Sequence, residues 1–245
     1  MRYSTLKERK EFYKREFNLV ELQEWFKTWN GNCRPHFAVV IGRHTRIFLK
    51  KYEDEASTTL IIDKYKDLED LKASIIEFLP ESAYYDRTLY DPKNRVVGQE
   101  LAFDLDPENL TCPIHGTLAD KMKRHQGLAF CELELNMVKM ETVRLQEELE
   151  KQFSKMRIVY SGRGFHLHVL DSEPFKWSFR KRRTLVKELR MKGFLIDEWV
   201  TTGGMRLIRL PYSLHSMVSR VVLPIEAKEL ADLNPVTDSR CIPNF

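Results

Sequence analysis

Two aspartates interrupt an apolar stretch near the middle of the sequence, in the segment GQELAFDLDPE at residues 98–108. If the segment is a strand, Asp104 and Asp106 lie on the same face, about 7 Å apart along the backbone. Carboxylates at that spacing can share two divalent ions about 4 Å apart, and all-oxygen ligands favour Mg²⁺ or Mn²⁺. An ordinary half-buried strand that ends at Pro107, with its polar face in water, gives the same pattern.

A second candidate segment, YSGRGFHLHVLD at residues 160–171, places glycines, a hydroxyl and basic side chains around one turn. A glycine-rich turn exposes backbone N–H groups that can bind an anion. Ser161 can add a hydroxyl and Arg163 a bidentate guanidinium contact. His166 and His168 alternate with apolar residues and therefore share one strand face. This set of donors suits a triphosphate, although a plain β-hairpin with two surface histidines has the same pattern.

The third segment, FLIDEWVTTGGMRLIRLPYSLHS at residues 194–216, offers one carboxylate and two basic groups. Asp197 follows an apolar triplet and is a candidate third metal ligand. Arg209 and His215 flank a PYS turn and are candidate phosphate donors. The segment alone indicates little, because an aspartate at such a position usually caps a turn.

The amino-acid composition limits the classes of protein to which this chain can belong. The 245 residues, with 42% hydrophobic side chains and a net charge of +4, are enough for one large or two small domains. Four cysteines are too few for a disulfide scaffold. We find no apolar run of about 18 residues and no signal peptide. We therefore expect a soluble intracellular protein with no membrane partner.

Hydrophobic periodicity predicts the elements that must position these residues. Helices are predicted within Glu8–Trp29 and at 68–79, 132–153 and Phe179–Met191. Strands are predicted at 36–42, 45–49, 57–63, 100–106, 156–160, 165–170, 206–211 and 219–226, and residues 107–131 are predicted to be irregular. The irregular alternation of helices and strands favours a mixed α/β or α+β fold.

In chain order the three segments read hhDhD, SGRGFHhH and hDxxVTT followed by RLIRLPxSLH, where h is apolar. This combination resembles the catalytic (small) subunit of archaeal and eukaryotic DNA primases, within the archaeo-eukaryotic primase superfamily. STLKERKEFYKREF is similar to that family's opening helix, and PESAYYDRTLYDP at 80–92 is similar to the stretch before its first aspartate pair. The resemblance covers most of the chain and depends on the combination, because no single motif is specific.

The resemblance implies nucleotidyl transfer with two metal ions. Asp104, Asp106 and Asp197 would be catalytic and would hold two Mg²⁺ or Mn²⁺ ions. The nucleotide's phosphates would be bound by Ser161, Arg163, His166, Arg209 and His215. The 3′-hydroxyl of the growing strand would attack the α-phosphate of an incoming NTP and release pyrophosphate. The product would be a short RNA or DNA primer on single-stranded DNA.

The resemblance also implies an architecture and partners. The fold would be an RNA-recognition-motif-like catalytic sheet packed with an N-terminal αβ unit, with a cleft between them, in a single primase catalytic domain spanning 1–245. The partners would be a single-stranded DNA template, NTPs or dNTPs, and a primase large subunit that carries an iron–sulfur domain.

Two features depart from the family pattern. The loop SGRGFH is one residue shorter than usual, so Arg163 need not superpose on the usual arginine, and the family's Arg-Glu-aromatic motif is present only as RPHF at 34–37. A short or plasmid-type primase-polymerase, or a primer-extending repair or translesion polymerase of the same superfamily, is therefore an alternative. A metal-dependent nuclease and a non-catalytic nucleic-acid-binding subunit are alternatives from other classes.

Members of this family often carry a zinc knuckle just after the first aspartate motif. The corresponding region, about 107–131, contains Cys112, His115, His125 and Cys131 in the spacing Cys-x2-His-x9-His-x5-Cys. Two cysteines and two histidines can close a tetrahedral structural zinc site without an open position. Ordinary core cysteines are the alternative interpretation.

The segment WSFRKRRTLVKELRMK at 177–192 combines a helical pattern with seven basic residues. Such a helix can contact template phosphates, and contacts of that kind carry no sequence information. A solvated helix face above a buried apolar stripe is at least as compatible with the pattern.

Overall fold

A computed structural model describes residues 1–27, 34–124 and 130–245. The α-helices are α1 (Leu6–Arg15), α2 (Leu19–Phe26), α3 (Leu68–Phe78), α4 (Leu118–Lys123), α5 (Glu132–Leu149), α6 (Phe179–Met191) and α7 (Glu198–Thr202). The strands are β1 (Phe37–Val40), β2 (Thr59–Ile62), β3 (Ser82–Asp86), β4 (Thr88–Tyr90), β5 (Val96–Gln99), β6 (Leu101–Leu105), β7 (Met156–Tyr160), β8 (Phe165–Val169), β9 (Leu207–Arg209), β10 (Leu214–His215), β11 (Arg220–Val221) and β12 (Leu223–Ile225).

The chain divides into two compact units. Unit 1 comprises Met1–Val97, Leu207–Leu223 and Asn234–Phe245, and unit 2 comprises Gly98–Arg206 and Pro224–Leu233. Each unit contains a four-stranded sheet, in the order β2-β1-β3-β9 in unit 1 and β12-β7-β8-β6 in unit 2. The predicted mixed α/β fold class is confirmed.

Unit 1 is organised around the short apolar strand β1, whose four residues are all buried. Phe37 of β1 lies opposite Tyr85 of β3, and the ring of Phe26 from α2 meets both rings edge-on, with centroids 5.8 and 5.3 Å away. The first two helices begin at side-chain caps, supplied by Thr5 and Asn18. These caps satisfy backbone N–H groups that the helices leave unpaired, so local sequence sets where each helix starts.

A fully buried arginine on α1 organises the chain that follows β1. Nη1 of Arg9 donates to the carbonyl oxygens of Ile41, Ile47 and Leu79 at 2.9–3.2 Å, and Nη2 donates to Thr45 Oγ1 at 3.1 Å. Burial lowers the pKa of Arg9 to about 10, partly offset by the charge of Glu81, so the guanidinium remains charged at neutral pH.

The strand predicted at 45–49 is wrong, and Arg9 supplies the physical reason. Arg46 adopts a left-handed backbone conformation with φ of 57°, and Thr45 N–H and hydroxyl both donate to the buried carboxylate of Glu81 at 2.9 Å. The carbonyl group of Ile47 therefore turns toward the guanidinium of Arg9 instead of pairing in a sheet.

Unit 2 is built on β8, whose five residues are all buried, with α5 packed on its sheet. Helix α6 begins at the Ser178 cap and buries Leu185, Val186 and Leu189. Arg182 on the same helix is also buried, and it donates to the carbonyl oxygens of Glu100 and Pro174 at 3.2 and 3.0 Å and to that of Gln99. This arginine ties α6 to the backbone just before β6.

Most of the predicted elements are present, with shorter ends in several cases. The helices predicted within Glu8–Trp29 are confirmed at Leu6–Arg15 and Leu19–Phe26, although residues 28–29 lie outside the described ranges. The other confirmed helices are those at 68–79, 132–153 and 179–191, and the confirmed strands are those at 36–42, 57–63, 100–106, 156–160, 165–170 and 206–211. The strand predicted at 219–226 is divided between β11 and β12. No helix in the described ranges is long and apolar enough to cross a membrane.

Some elements were not predicted. Residues 107–131 are not wholly irregular, because α4 forms behind a capping box made by Thr117 and Asp120. The pattern also missed α7, β3, β4, β5 and β10. Around β3 and β4 the sequence signal fails because Asp86 and Arg87, which are typical turn or surface residues, are buried.

We predict that replacing Arg9 with methionine destabilises the protein. Three backbone carbonyls would lose their donor and the buried charge of Glu81 would lose a nearby cation, which together should lower the free energy of unfolding by about 3 kcal/mol or more. Urea unfolding measures the change. The matched control is Arg15→Met on the same helix, where the side chain is 80% exposed. An equal loss in both variants would contradict the role assigned to Arg9.

Candidate active site

Strands β6 and β8 bring the first two predicted motifs together in unit 2. They pair antiparallel, with Asp104 directly opposite His166, so the two side chains project from the same face of the sheet. His166 Nε2 lies 3.7 Å from Asp104 Oδ1. A carboxylate able to bind a metal ion and an imidazole able to bind a phosphate are thus neighbours.

A second acid–imidazole pair lies beside the first on the same sheet face. Nδ1 of His168 lies 2.9 Å from Oε1 of Glu100, and both side chains are 0% exposed. The rings of His166 and His168 are 5.9 Å apart between centroids, at 70° to one another. The buried pair therefore packs against His166 and restricts the orientation of its ring.

The predicted anion-binding turn joins β7 to β8. Ser161 N–H donates to the Gly164 carbonyl at 3.0 Å, and Gly164 N–H donates to Ser161 Oγ at 3.2 Å. Gly162 has φ of 103°, a conformation that favours glycine. A β-carbon on Gly164 would lie 2.2 Å from the Leu105 carbonyl oxygen, so only glycine allows the turn to pack this closely on the end of β6.

Arg163 lies against the acidic residues that follow β6. Its side chain is 10% exposed, forms an ion pair with Glu108, and has Nη2 3.9 Å from Asp106 Oδ1. Burial would lower the pKa of Arg163, but the charges of Asp106 and Glu108 raise it overall. The guanidinium thus remains charged and neutralises the Asp106 end of the site.

Asp197 lies beside strand β6, the strand that carries Asp104. Its backbone N–H donates to the Asp104 carbonyl at 3.1 Å, and its carboxylate caps α7 by accepting from Trp199 N–H at 2.8 Å. Asp106 likewise accepts from Glu108 N–H at 3.3 Å. The backbone hydrogen bond from Asp197 to Asp104 therefore places the third predicted carboxylate beside the strand that carries the first.

The remaining two predicted phosphate ligands, Arg209 and His215, lie in unit 1. Arg209 on β9 donates from Nη1 to Ser82 Oγ at 2.8 Å, with its guanidinium 5.1 Å from the Tyr84 ring centroid. His215 on β10 is buried opposite Arg220. Of the eight predicted catalytic and nucleotide-binding residues, unit 2 therefore contains six.

The region predicted to hold zinc contains a compact set of ligands. Cys112, His115, Cys131 and Glu134 each offer one atom, and the four atoms lie within 4.8 Å of one another. Cys112 Sγ is 3.4 Å from His115 Nδ1, which is 3.8 Å from Glu134 Oε1. Tetrahedral zinc with usual bond lengths requires separations of about 3.5 Å between sulfur and nitrogen ligands, so the set fits this metal.

Glu134 is the member of this set that sequence reasoning missed, and the predicted ligand His125 lies outside the described residues. A glutamate in the first turn of a helix is usually explained by the helix dipole, so no sequence signal marked Glu134 as a ligand. The structure shows that it is buried, with Lys121 Nζ 2.8 and 3.0 Å from its two oxygens. Such a lysine can orient a carboxylate that also binds a metal.

Comparison with known proteins places this architecture in one class. No protein-family model matches the sequence. The fold is similar to that of the polymerase domain of Mycobacterium tuberculosis ligase D solved in complex with DNA, with a TM-score of 0.57, 15% identity, and coverage of 90% of this chain and 83% of that one. The chain thus shares the fold of this polymerase domain.

Sequence comparison gives the family. The chain is 46% identical over 261 residues to the "Uncharacterized DNA primase small subunit-like protein" of Archaeoglobus fulgidus, covering 100% of this chain and 91% of that protein. This protein belongs to the family of DNA primase small subunit-like proteins, which confirms the predicted resemblance. The DNA primase small subunits PriS of Pyrobaculum aerophilum and Pyrococcus horikoshii are 31% and 28% identical, and the matches span 66% and 49% of their lengths.

We predict that Gly164→Ala damages the site, because the added methyl group would collide with the backbone of β6. Overpacking of this kind should lower the free energy of unfolding by about 1–3 kcal/mol and displace Asp106, weakening Mn²⁺ binding measured by calorimetry. The control is Gly204→Ala in the same unit, where the nearest atom is Trp199 Nε1 at 3.3 Å. Unchanged Mn²⁺ affinity in Gly164→Ala would show that the turn does not position the aspartates.

Proposed function

We propose that this chain catalyses template-directed nucleotidyl transfer and synthesises short RNA or DNA primers on single-stranded DNA. The primase-like relatives and the polymerase-domain fold support the reaction class. The observation that carries the proposal for this chain is the pairing of Asp104 with His166 across two adjacent strands. That pairing puts a metal-binding carboxylate beside a group suited to phosphate, as transfer of a nucleotide requires.

The residues of unit 2 would divide the chemistry between them. Asp104, Asp106 and Asp197 would hold Mg²⁺ or Mn²⁺, which when bound would activate the 3′-hydroxyl and stabilise the departing pyrophosphate. Arg163 would exchange its contacts with Asp106 and Glu108 for phosphate oxygens, because a guanidinium binds phosphate in a bidentate manner. No protein nucleophile is needed.

Four further groups would hold the triphosphate. Ser161 Oγ accepts from Gly164 N–H and can still donate its own proton to a phosphate oxygen. His166 can donate from a ring nitrogen, and its neighbour His168 would keep that ring in place. Arg209 and His215 of unit 1 would contribute the remaining donors that the family resemblance implies.

The proposed partners follow from the same reaction. The substrates would be a single-stranded DNA template and NTPs or dNTPs, inside the cell. Because the PriS relatives are named as small subunits, we also propose a primase large subunit, with an iron–sulfur domain, as a protein partner.

Nucleotide incorporation by the isolated chain on single-stranded DNA, with and without a primer, tests the proposal. We expect new strands in the presence of Mn²⁺ or Mg²⁺, and a loss of about a thousandfold or more in Asp104→Ala and Asp197→Ala, because each removes a metal ligand. The control is Asp54→Ala, at an exposed position of unit 1.

The outcomes separate the alternatives. Extension of a supplied primer without new strands would identify a primer-extending polymerase. Degradation of DNA in the absence of nucleotides, lost in the same variants, would favour a metal-dependent nuclease. No reaction in any condition would contradict an autonomous enzyme and favour a nucleic-acid-binding subunit.

We also propose that Cys112, His115, Cys131 and Glu134 hold a structural zinc ion. Four protein ligands would close the coordination sphere, so the metal would join the turn at Cys112 to the start of α5 and would take no part in the reaction.

Zinc content of the purified protein, measured by mass spectrometry, tests this site. We expect one equivalent of zinc in the unchanged protein and a large loss in Cys112→Ser and Glu134→Ala, because each removes one ligand. Cys241→Ser, which changes a buried free cysteine of unit 1, should retain the metal. Loss of zinc in His125→Ala but not in Glu134→Ala would contradict the proposed ligand set and restore the one predicted from sequence.

A further inference from the structure

Helix α6 carries more positive charge than the whole protein. Its 13 residues include six arginines and lysines and one glutamate, a net charge of +5, whereas the chain has a net charge of +4. The rest of the chain is therefore slightly negative. The net positive charge of the protein is therefore no larger than the charge of this one helix.

Half of the basic side chains on α6 have a structural explanation. Arg182 is buried against backbone carbonyls. Lys181 pairs with Glu173 at 2.7 Å, and Arg190 pairs with Glu198. These three cations are neutralised or held within the fold, so they do not explain the excess of charge.

The other three, Arg180, Arg183 and Lys187, form what we call the basic stripe. All are exposed, and no ion pair joins any of them to a carboxylate in the part of the chain that the structure describes. They are spaced i, i+3 and i+7, so they share one helix face over about 10 Å. Like charges at these spacings destabilise a helix, and an external polyanion would relieve the repulsion.

We propose that the basic stripe binds the phosphate backbone of single-stranded nucleic acid. Aromatic side chains beside the first turn of α6 suit this partner, because bases can stack on them: Phe179 is 57% exposed, and Trp177 is partly exposed with Lys181 over its ring at 4.0 Å.

A membrane surface fits the same helix poorly. An interfacial helix inserts an apolar face between lipids, and on α6 the apolar residues Leu185, Val186 and Leu189 are already buried within unit 2. Single-stranded nucleic acid requires no such face, because its affinity for basic side chains comes from release of counterions. That the bound nucleic acid is the template rests on the proposed function, whereas the binding of single-stranded nucleic acid does not.

Equilibrium binding of a fluorescent oligo(dT), measured by anisotropy over a range of salt concentrations and without nucleotides, tests the proposal. Each phosphate contact with a single strand contributes about 0.7 to the slope of log K against log salt. The triple variant Arg180→Ala, Arg183→Ala, Lys187→Ala should therefore reduce the slope by about 2 and weaken binding more than tenfold at low salt.

The matched control removes three cations that are already paired and lie outside α6: Lys51→Ala, Lys151→Ala, Lys192→Ala. Both triple variants lower the net charge by the same amount, so a larger effect of the stripe variant supports a specific surface. Equal effects would mean that only overall charge matters and would overturn the proposal. Stripe-dependent binding to phosphatidylserine vesicles, with unchanged binding to DNA, would also overturn it.

DNA binding and nucleotide incorporation are measured separately, so the basic stripe and the proposed function can fail independently. None of the stripe residues belongs to the proposed catalytic site, so the stripe variant should still incorporate nucleotides at saturating template. Stripe-dependent DNA binding in a chain that incorporates no nucleotides would support the inference while the proposed function fails. Incorporation by the unchanged protein, with DNA binding equal in the stripe and control variants, would leave the function standing and overturn the inference.

Discussion

The antiparallel register between β6 and β8 decides which side chains meet in the candidate active site. A slip of one residue would move Asp104 and His166 to opposite faces of the sheet and separate the carboxylate from the imidazole. Both ends of β6 resist such a slip. At its start, Arg182 holds the carbonyls of the two preceding residues, and at its end the turn at Gly164 packs on the Leu105 carbonyl. Packing at a distance from the reacting groups therefore sets their geometry.

The same register places several carboxylates on one face of the sheet, and basic side chains lie beside them. The imidazole of His166 lies beside Asp104, and the guanidinium of Arg163 lies beside Asp106. Clustered carboxylates with little access to water would otherwise repel one another. Metal ions would take over this balancing role at the aspartates, which would free Arg163 for a nucleotide phosphate. One set of charges can thus stabilise both the ion-free and the substrate-bound site.

Local signals made part of this arrangement predictable from sequence. The predicted bounds of α6 agree with the structure because its apolar residues recur with helical spacing, and the structure adds a cap at Ser178. Burial of arginine carries no such signal, since Arg9 and Arg182 are indistinguishable in sequence from surface residues. The strand wrongly predicted at 45–49 is a direct consequence, because the carbonyl of Ile47 in that segment accepts from Arg9. Glu134 was missed for a similar reason: its burial depends on a fold that sequence spacing does not reveal.

Arginine has two opposite uses in this protein, and they explain why net charge is a poor guide to its partners. A buried arginine such as Arg9 has its donors directed at backbone carbonyls, so it organises loops and presents little charge to solvent. An exposed arginine such as Arg183 instead presents its charge to solvent, where it can attract an anion. Both count equally in a net charge of +4. A polyanion responds instead to the positions of the exposed cations. These cations can be clustered on one surface even when the net charge of the protein is small.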